Sequence, residues 1–393
     1  MNKLLEGVRV LDLSNVLAGP FCGYQLALFG ADVIKVETPD GGDLARQLGA
    51  DAALNAQHMG TSFLAQNANK RSVVIDLKSE QGRQTFLALL QTSDVVLENF
   101  RPGVMERLGL GHEQLRQRKP SLVYCAISGF GQDGPLAKAP AYDQIIQGRS
   151  GVMSITGDSE SSPLRVGYPV CDTLGGLMAA FAISSALVRR GQTGEGAFID
   201  VSMLDTTLAA MGWIVSNLLI AGQAPVPMGN ENFTASPSGS FATGHGLLNI
   251  AANKQEQFEL LCDVVGAPHL KTDERFAERE ARKQHRQALR EVLEVCLQSA
   301  DAATWEARLN KVGVPAGRVL SVADALAQPQ VAQRGLVTQL PFDGSGRASI
   351  TLTASAVRID GKRPEPTLPP PRLGEHTAQV LNELGISTVA NGV

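Results

Sequence analysis

Apolar segments rich in valine and isoleucine alternate with helix-length segments through the first third of the chain. VRVLDLS (residues 8–14) and DVIKVE (32–37) are typical of buried strands, and residues 21–29 between them have helical character. The alternation continues through SVVIDL, DVVLENF and LVYCAIS, again with helical segments between them. Strands and helices that alternate in this way form right-handed βαβ units around a parallel sheet. The sequence therefore predicts an α/β fold with a Rossmann-like large domain.

A different pattern begins after residue 222, where GQAPVPMGNENFTASPSGS interrupts the alternation with proline, glycine, asparagine and serine. The segment GLLNIAAN and the charged helices that follow it indicate a smaller α+β unit. A second break, near Pro329 and Gly335, leads into a proline-rich stretch. We therefore predict three parts: a large domain in residues 1–222, a small α+β domain in 223–327, and a linker and return to the large domain in 328–393.

The charge balance excludes one class of function. The 393 residues include 35 lysines and arginines and 39 aspartates and glutamates, which gives a net charge of −4. A strongly basic nucleic-acid-binding protein would carry an excess of lysine and arginine, so we expect no nucleic-acid partner.

Near the amino terminus, Glu6 and Arg9 interrupt the apolar stretch that a signal peptide needs. We therefore expect a cytoplasmic protein.

Neither the cysteines nor the long uncharged windows predict a special class of protein. The cysteines are odd in number and form no C-x-x-C pair, which argues against a disulfide framework and a structural zinc site, and we predict no metal. The five are Cys22, Cys125, Cys171, Cys262 and Cys296. The uncharged windows 173–188 and 206–230 are too short, or too often interrupted by polar residues and proline, for membrane spans. We expect buried helices there and no membrane partner.

A G-x-G-x-x-G pattern occurs once, at residues 129–134, directly after the strand LVYCAIS. A dinucleotide-binding pattern must open a helix, but Pro135 and Pro140 follow this one and indicate a loop. The first strand-to-helix turn contains VLAGP, with a single glycine. We therefore interpret residues 129–134 as a glycine-rich turn, and NAD is not predicted.

Asp172 stands directly before a long helix that carries no charge until Arg189. An aspartate there is favoured as an N-cap, and the helix dipole would keep its carboxylate ionised. The residue is either a cap and nothing more, or a functional acid beside the protein interior, since the apolar helix should be buried. Cys171 is a rival nucleophile, because a thiol at a helix amino terminus can be acidified. With no histidine nearby in the sequence, we interpret Cys171 as structural.

Basic residues follow several of the predicted strands. Arg101 and Arg107 come after DVVLENF, Lys78 follows SVVIDL, and Lys70 and Arg71 precede it. Ligands of open parallel sheets bind beyond the carboxyl ends of the strands, and arginine suits phosphate. Each residue alone is compatible with a solvated surface charge. Together they predict a phosphate-binding rim.

Several motifs along the chain match one family. The matching segments are DLSNVLAGPFCGYQLALFGADVIKVE, NANKRSVVIDLK, ENFRPGVMERLGL, AYDQIIQGRSG, YPVCDTLGGLMAA, VPAGRVLSVADALAQPQVAQRGLV and LGEHTAQVLNELG. In these segments, and over almost its whole length, the chain resembles the class III CoA-transferases, which include formyl-CoA transferase and carnitine CoA-transferase. The resemblance implies a large Rossmann-like domain built from both ends of the chain, a small domain between them, and a homodimer of two interlocked rings.

The resemblance also implies roles for individual residues. The nucleophile of the family is the aspartate that matches Asp172, and CoA thioesters are its substrates, with no tightly bound cofactor. The positions implied to contact CoA are Leu17, Ala18, Ile75, Leu77, Lys78, Asn99, Arg107 and Tyr142. Arg101 joins them as a member of the predicted phosphate-binding rim. Backbone N–H groups of a glycine-containing loop, with Gly239 as the candidate, would stabilise the oxyanions of the reaction.

The sequence departs from formyl-CoA transferase in ways that bear on the substrate. GNENFTASPSG separates Gly229 from Gly239 where that enzyme has consecutive glycines, Leu17 replaces a glutamine, and Thr38 replaces an arginine. We therefore expect acids bulkier than formate and oxalate. Three arginines, Arg46, Arg149 and Arg165, are candidates for holding a distal carboxylate. Our hypothesis is transfer from succinyl-CoA to a C4–C5 dicarboxylate such as itaconate, mesaconate or citramalate.

Three alternatives stay open at this point. The α-methylacyl-CoA racemases resemble the chain at the aspartate, but they pair it with a histidine where this chain has Tyr142. A tyrosine with an ordinary pKa near ~10 is poorly suited to exchange a proton at neutral pH. A formyl-CoA and oxalate transferase is the second alternative, and a non-catalytic CoA-binding protein is the third.

Overall fold

The computed structural model of the chain describes residues 3–386. The chain divides into two compact units. The first contains the chain up to Val152, Arg165–Ala224, and the chain from Gln330 onward; the second contains Met153–Leu164 and Pro225–Pro329. Met153–Leu164 lies within the predicted large domain but belongs to the second unit, where Gly157 O accepts a hydrogen bond from the Gly229 N–H at 2.7 Å. The domain boundaries after residues 222 and 327 stay predictions.

A six-stranded sheet forms the centre of the first unit. Its strands are β1 (Arg9–Asp12), β2 (Asp32–Glu37), β3 (Lys70–Val74), β4 (Val95–Glu98), β5 (Val123–Ser128) and β6 (Ala197–Ser202). All neighbouring strands are parallel, in the order β3-β2-β1-β4-β5-β6. The chain adds strands in one direction from β1 to β3 and in the other from β4 to β6, so the order reverses between β1 and β4. The predicted α/β class with a parallel sheet is confirmed.

Helices connect these strands and cover the sheet. They are α1 (Ala18–Leu28), α2 (Ala52–Ala56), α3 (Thr61–Leu64), α4 (Glu80–Gln91), α5 (Val104–Arg107), α6 (His112–Arg118), α7 (Asp143–Arg149), α8 (Val170–Thr193), α9 (Met203–Ala210) and α10 (Gly212–Ala221). Short 3-10 helices occupy Leu44–Gln47 and Val152–Ile155. No helix follows directly on residues 129–134, and Gly131 and Gly134 have positive φ angles. This segment is therefore a glycine-rich turn, as predicted.

Successive side chains of the strands enter two separate cores. Val10 and Val33 belong to the apolar cluster that α1 and α8 cover, whereas Leu11 and Ile34 belong to the cluster that α4 and α6 cover. A strand buried on both faces needs apolar residues at nearly every position. This requirement explains the continuous valine and isoleucine runs on which the fold prediction rests.

The second unit has its own small sheet and core. Its strands are β7 (Ser238–Ala242), β8 (Leu247–Ala251) and β9 (Ala316–Arg318), and its helices are α11 (Gln255–Val264), α12 (Arg279–Gln284), α13 (Arg286–Leu297), α14 (Ala302–Lys311) and α15 (Val322–Leu326). A 3-10 helix occupies Pro268–Lys271. The strands pair antiparallel in the order β7-β8-β9. Phe258, Leu289 and Trp305 are among the buried residues of its core.

The carboxyl-terminal segment contributes to the first unit. It contains α16 (Pro329–Arg334), the antiparallel hairpin of β10 (Val337–Gly344) and β11 (Arg347–Thr353), and α17 (Thr377–Glu383). Val380 of α17 is fully buried in the cluster that contains Leu11. The Tyr24 hydroxyl of α1 donates a hydrogen bond to the Thr353 carbonyl at 2.8 Å. Both ends of the chain therefore build the first unit.

Helix α8 is less buried than its apolar sequence predicts. Ala179 and Ile183 are fully buried, but the Phe181 side chain is 69% exposed and Val188 is 66% exposed. Among the described residues, α8 alone is long and apolar enough to span a membrane; α9 and α10 would qualify together only as a broken span, bent by 78°. Core helices of soluble proteins meet the same criterion. The outward face of α8 is an apolar surface that the described chain leaves open.

Candidate active site

A cleft of about 210 Å³ lies beyond the carboxyl ends of β1, β4 and β5 in the first unit. This is the point at which the strand order reverses, where open parallel sheets bind their ligands. The residues that line it are Asn15, Val16, Leu17, Ala18, Asn99, Phe100, Arg101, Ile127, Ser128, Gly129, Ala141, Tyr142, Asp172 and Met203. We call it the aspartate cleft.

A second cleft of about 230 Å³ lies beyond the ends of β1, β2 and β3. It is lined by Leu13, Asn15, Val36, Glu37, Thr38, Ile75, Asp76, Leu77, Lys78, Phe100, Val104 and Leu108. We call it the lysine cleft. Because Asn15 and Phe100 line both clefts, the two adjoin, and together they offer an elongated ligand a continuous surface along the sheet edge.

The turn between β1 and α1 borders both clefts and is held by side-chain contacts with its backbone. The Asn99 side chain accepts a hydrogen bond from the Asn15 N–H at 2.8 Å and donates one to the Asn15 carbonyl at 2.9 Å. Val16 has a φ of +66°, in the left-handed region that valine rarely adopts. Asn99, predicted to contact CoA, thus also fixes the backbone of the turn that borders both clefts.

Asp172 lies in the first turn of α8, but it is not the N-cap that the sequence predicts. The helix begins at Val170 with Pro169 as its N-cap, and no side chain of that residue caps the helix. The Asp143 carboxylate takes over this role from α7: its Oδ1 accepts hydrogen bonds from the Cys171 N–H at 2.8 Å and from the Asp172 N–H at 3.3 Å. The Asp172 carboxyl is therefore not engaged as the cap of its own helix.

Burial and charge make the Asp172 carboxyl unusual. Burial raises its pKa from 3.8 to about 7, and the nearby Asp143 carboxylate adds to the rise. The expectation of a fully ionised carboxylate is corrected accordingly, because burial disfavours the charged form of Asp172 and the Asp143 carboxylate disfavours it further. A carboxyl group that titrates near neutral pH inside a cleft is the kind of group that active sites contain.

Cys171, the rival nucleophile, is fully buried. Burial raises the pKa of its thiol to about 11, and the Asp143 and Asp172 carboxylates act in the same direction. A nucleophilic cysteine needs the opposite shift, because the thiolate is the reactive form. The interpretation of Cys171 as a structural residue agrees with this environment.

Most of the residues implied to contact CoA lie along the two clefts. Leu17, Ala18, Asn99, Arg101 and Tyr142 line the aspartate cleft together with Asp172. Ile75, Leu77 and Lys78 line the lysine cleft, as does Thr38. Arg107 is exposed at the end of α5, between the cleft-lining residues Val104 and Leu108. Positive charges therefore lie at the rims of both clefts. Two members of the predicted phosphate-binding rim lie elsewhere: Lys70 is buried and pairs with Asp12, and Arg71 pairs with Asp32 and Glu383.

Arg46 does not fit its predicted role. Its guanidinium is fully buried, forms two hydrogen bonds of 2.7 Å with the Glu37 carboxylate, and lies over the Phe63 ring. Its remaining donors reach the carbonyls of His58 and Pro371 at 3.2 Å. No side of this group is open to a substrate, so Arg46 is withdrawn as a candidate for binding a distal carboxylate.

The other candidates for substrate binding lie elsewhere. Arg149 is exposed at the end of α7 and does not line either cleft. Arg165 lies 3.8 Å from Asp143 Oδ2, next to the acid that contacts Asp172. Gly239 belongs to strand β7 of the second unit, where it lines a separate cleft with Asn230 and Asn249. Their contacts with substrate stay predictions.

Sequence reasoning missed several residues around the aspartate cleft. Asp143 was part of a matching motif, AYDQIIQGRSG, but received no role. Phe100 and Met203 supply apolar surface to the cleft, and neither was assigned a contact. Asp143 carried one usable signal, since it directly follows Tyr142. Within residues 3–386, no group of three or more metal-binding side chains is placed to hold an ion.

Chemically, the aspartate cleft presents one carboxyl group, that of Asp172, among apolar side chains, polar side chains and the cation Arg101. A carboxylate in this setting can act as a nucleophile or as a proton acceptor. None of the side chains that line the aspartate cleft is a histidine. The lining therefore does not supply the second acid/base group that a racemase of the kind considered above pairs with its aspartate.

Known proteins resemble the chain over nearly its full length. The model of CoA-transferase family III matches residues 5–377. The succinate–glutarate CoA-transferase of Agrobacterium fabrum is 39% identical over 97% of this chain and 95% of that protein. The acetyl-CoA:oxalate CoA-transferase of Acetobacter aceti is 40% identical over 96% and 95%. A CAIB/BAIF family protein from Brucella suis has a solved structure with a TM-score of 0.85 and 35% identity, covering 98% of this chain and 100% of that one.

The family model and the relatives agree with the resemblance seen in the sequence motifs. Each spans almost the whole chain, and the residues that the family model matches include both clefts and Asp172. The chain therefore belongs to CoA-transferase family III, the enzymes that transfer CoA between carboxylic acids.

Proposed function

We propose that this enzyme moves CoA from succinyl-CoA to a small dicarboxylate, and that Asp172 carries the acyl and CoA groups during the transfer. One observation carries the proposal: the Asp172 carboxyl borders the cleft that Leu17, Ala18, Asn99 and Tyr142 also line, all of them positions implied to contact CoA. The nucleophile and the thioester-binding surface thus share one small volume of the first unit.

The proposed reaction has four steps that conserve the thioester bond energy. The Asp172 carboxylate attacks the thioester carbonyl of the donor, forming a mixed anhydride and releasing CoA thiolate. The thiolate attacks the aspartyl carbonyl, which frees the donor acid and leaves an aspartyl-CoA thioester. The acceptor carboxylate then displaces the thiolate to form a second anhydride. Attack of the thiolate on the acceptor carbonyl releases the new thioester and restores the Asp172 carboxylate.

The two clefts fit the two ends of a CoA thioester. Lys78 lines the lysine cleft and Arg107 lies beside it, so this cleft suits the phosphorylated end of CoA. The thioester end would pass the β1–α1 turn, which borders both clefts, and reach Asp172. In this arrangement the Rossmann-like part of the fold binds CoA at the reversal of strand order.

The dicarboxylate proposal rests on the cleft lining and on the relatives. Leu17 and Met203 add apolar surface to the cleft that Asp172 lines, which favours acids with a methylene chain over formate. The Agrobacterium fabrum relative is named for succinate and glutarate, whereas the Acetobacter aceti relative is named for acetyl-CoA and oxalate. Transfer to C4–C5 dicarboxylates is therefore the first hypothesis, and transfer to oxalate is the second.

We also propose that the protein is an interlocked homodimer. Phe181 and Val188 on α8, and Leu219 and Ile220 on α10, are apolar side chains that a single chain leaves exposed. Exposed apolar surface of this kind marks an interface. A second subunit would cover it without requiring a membrane. The cytoplasmic location stays a prediction.

Mass spectrometry tests the role of Asp172. The protein is incubated with succinyl-CoA, treated with hydroxylamine or borohydride, digested and searched for modified acids. We expect modification at Asp172, and none in Asp172→Ala. Asp200→Ala is the matched control, because Asp200 is another acid with a raised pKa that lines neither cleft. Unmodified Asp172, or equal labelling of both variants, would contradict the proposal.

A substrate panel tests the acceptor. Succinyl-CoA is offered with itaconate, mesaconate, citramalate, glutarate, oxalate, formate and carnitine, and the product thioesters are separated by chromatography. The hypothesis requires the highest kcat/KM with a C4–C5 dicarboxylate. Transfer only to oxalate, to monocarboxylates or to carnitine would refute the substrate assignment while leaving the role of Asp172 intact.

A further inference from the structure

Four charged side chains are buried beneath the turn between β1 and α1. Each is at most 1% exposed. They are Asp12, Lys35, Asp43 and Lys70, which we call the buried charge cluster. The cluster forms two ion pairs: Lys70 Nζ lies 2.8 Å from Asp12 Oδ2, and Lys35 Nζ lies 2.9 Å from Asp43 Oδ2. Every charge in the cluster therefore has a buried partner of opposite sign.

Two members of the cluster bind the same residue of the turn from both sides. Asp12 Oδ1 accepts a hydrogen bond from the Ser14 N–H at 3.0 Å and another from the Ser14 hydroxyl. Lys35 Nζ donates to the Ser14 carbonyl at 2.8 Å. Both backbone groups of Ser14 are thus held by charged side chains, which form stronger hydrogen bonds than neutral groups do.

The other two members hold the residues that follow. Asp43 Oδ1 accepts a hydrogen bond from the Val16 N–H at 2.9 Å. Lys70 Nζ donates to the Pro20 carbonyl at 2.9 Å, in the first turn of α1. Each of the four charges therefore makes one ion pair and at least one contact with the backbone between Ser14 and Pro20.

The turn needs such support because Val16 is left-handed. A β-branched residue at a φ of +66° is strained, and such a conformation persists only where the surroundings impose it. Stability of the fold alone does not explain the cluster, because buried ion pairs contribute little compared with well-packed apolar residues. Val16 and its neighbours Asn15 and Leu17 all line the aspartate cleft. The shape of this turn therefore sets the shape of the cleft.

We propose that the buried charge cluster is a set of positioning residues that holds the β1–α1 turn in the conformation that binds CoA. The proposal rests on the proposed function, in that CoA is taken as the ligand of the two clefts. No member of the cluster lines the aspartate cleft, so its effect reaches the ligand through the backbone of the turn.

The first test removes one ion pair without leaving a lone charge. In Lys35→Met combined with Asp43→Leu, both side chains keep their approximate size, and the Val16 N–H loses the acceptor that Asp43 Oδ1 provides. Calorimetric titration with free CoA should give a Kd raised on the order of tenfold. The KM for succinyl-CoA should rise in parallel, while the KM for the acceptor acid stays unchanged. An unchanged Kd for CoA would overturn the proposal.

A destabilised variant outside the site separates positioning from stability. Leu89 is fully buried in α4 and lines neither cleft. Leu89→Ala should lower the unfolding midpoint as core truncations do, yet leave the Kd for CoA unchanged. If Leu89→Ala weakened CoA binding as much as the loss of the ion pair, the cluster would have no special role.

A third substitution tests whether the cluster acts through Val16. Glycine adopts the left-handed conformation without strain. When Val16→Gly is added to the variant without the Lys35–Asp43 pair, the combined variant should therefore bind CoA more tightly than the variant that lacks only the pair. Val16→Gly alone is the reference for any effect of the glycine itself on the Kd. Absence of any recovery would show that the cluster does not act by holding this residue.

Amide hydrogen exchange on the unmodified protein covers the case in which the charge variant does not fold. A preformed turn predicts slow exchange at Val16 in the free protein, with little change when CoA is added. Fast exchange that slows only with CoA would overturn the proposal. If the protein binds CoA but succinyl-CoA does not label Asp172, the proposed reaction is refuted while the inference about the buried charge cluster stands. Failure of the proposed function and failure of this inference are therefore distinguishable.

Discussion

The Asp143 carboxylate accepts a hydrogen bond from the backbone N–H of Asp172, so two acids from different helices meet at the amino terminus of α8. Asp143 caps the helix that carries Asp172, and its charge also raises the pKa of Asp172. The same contact thus positions the proposed nucleophile and reduces its ionised fraction at neutral pH. Arg165, whose guanidinium lies 3.8 Å from Asp143 Oδ2, places a half-exposed cation beside this pair of acids.

The first prediction concerns the pH dependence of the reaction. The attacking form of Asp172 is the carboxylate, and its pKa is raised to about 7. The kcat/KM for succinyl-CoA should therefore fall about tenfold for each pH unit below 7 and level off above it. Initial rates measured between about pH 5 and 9 check this dependence. A flat profile across this range would show that Asp172 is already fully ionised.

Asp143→Asn separates the two effects of Asp143. The amide oxygen can still accept the N–H groups of α8, but the negative charge is gone. The pKa of Asp172 should fall, and the half-maximal point of the profile should move to lower pH. Asp200→Asn, a change of the same kind outside both clefts, should leave the profile unmoved. Equal profiles for Asp143→Asn and the unmodified enzyme would contradict the proposed electrostatic coupling.

The close packing of α1 against α8 gives a second prediction. A Cβ on Gly176 would lie 2.5 Å from the Ala18 carbonyl and 3.3 Å from Cys22 N, so Gly176→Ala must push the two helices apart. We expect a loss of about 1–3 kcal/mol in the free energy of unfolding. The kcat should also fall, because α1 carries the cleft residue Ala18 and α8 carries Asp172. Urea unfolding and steady-state kinetics measure the two effects.

Gly191 in the same helix is the matched control. Apart from the backbone of the helix itself, no described atom of the same chain lies within 4 Å of the Cβ that alanine would add there. Gly191→Ala should raise the free energy of unfolding by about 0.5–1 kcal/mol, because alanine favours the helix more than glycine does. Its kcat should equal that of the unmodified enzyme. A large loss of activity in Gly191→Ala would mean that α8 tolerates no change, whatever its contacts.

The sheet was predictable because buried parallel strands impose a demanding composition. Residues such as Val10 and Leu11 face different cores, so both must be apolar, and this leaves a plain signal in the sequence. Met153–Leu164 carries no comparable signal. Its place in the second unit depends on contacts with distant residues such as Gly229. Long-range contacts of this kind do not alter local composition, so reasoning from the sequence missed them.

The candidate site, like the fold, was predictable only in part. Family motifs pointed to Asp172 and to the residues along the two clefts, but the partner acid Asp143 depends on how α7 approaches α8. Arg46 was a wrong candidate because a sequence does not show which arginine is buried against a glutamate such as Glu37. The exposed faces of α8 and α10 were also missed, since apolar composition alone does not distinguish a core helix from an interface helix.

The third prediction tests the lysine cleft. Lys78 lines it and Arg107 lies beside it, so Lys78→Ala and Arg107→Ala should each raise the KM for succinyl-CoA several-fold, with kcat little changed. The effects should shrink at high salt, because exposed charges are screened. Kinetics at low and high ionic strength measure both. Arg118→Ala is the control, since Arg118 is an exposed arginine of α6 that lines neither cleft. If all three variants kept the KM of the unmodified enzyme for succinyl-CoA, the lysine cleft would not be the binding site of CoA.

The last prediction is that Asp172→Asn stabilises the protein while abolishing transfer. The pKa of Asp172 is higher in the folded chain than its ordinary value of 3.8, so the folded state holds a proton that the unfolded state loses between about pH 4 and 7. The contribution of this group to stability therefore falls as the pH rises through that window. Asparagine carries no charge, so Asp172→Asn should have a higher free energy of unfolding than the unmodified enzyme. This difference should be absent near pH 4 and reach its full size above about pH 7.

The size of this difference in the free energy of unfolding follows from the pKa shift of Asp172. A rise from 3.8 to about 7 corresponds to at most ~4 kcal/mol. Because the side chain keeps some contact with solvent, we expect about 2 kcal/mol. Urea unfolding of Asp172→Asn and the unmodified enzyme on both sides of the window measures it. A variant less stable than the unmodified enzyme at alkaline pH would show that the folded state stabilises the Asp172 carboxylate, and that the pKa of Asp172 is not raised.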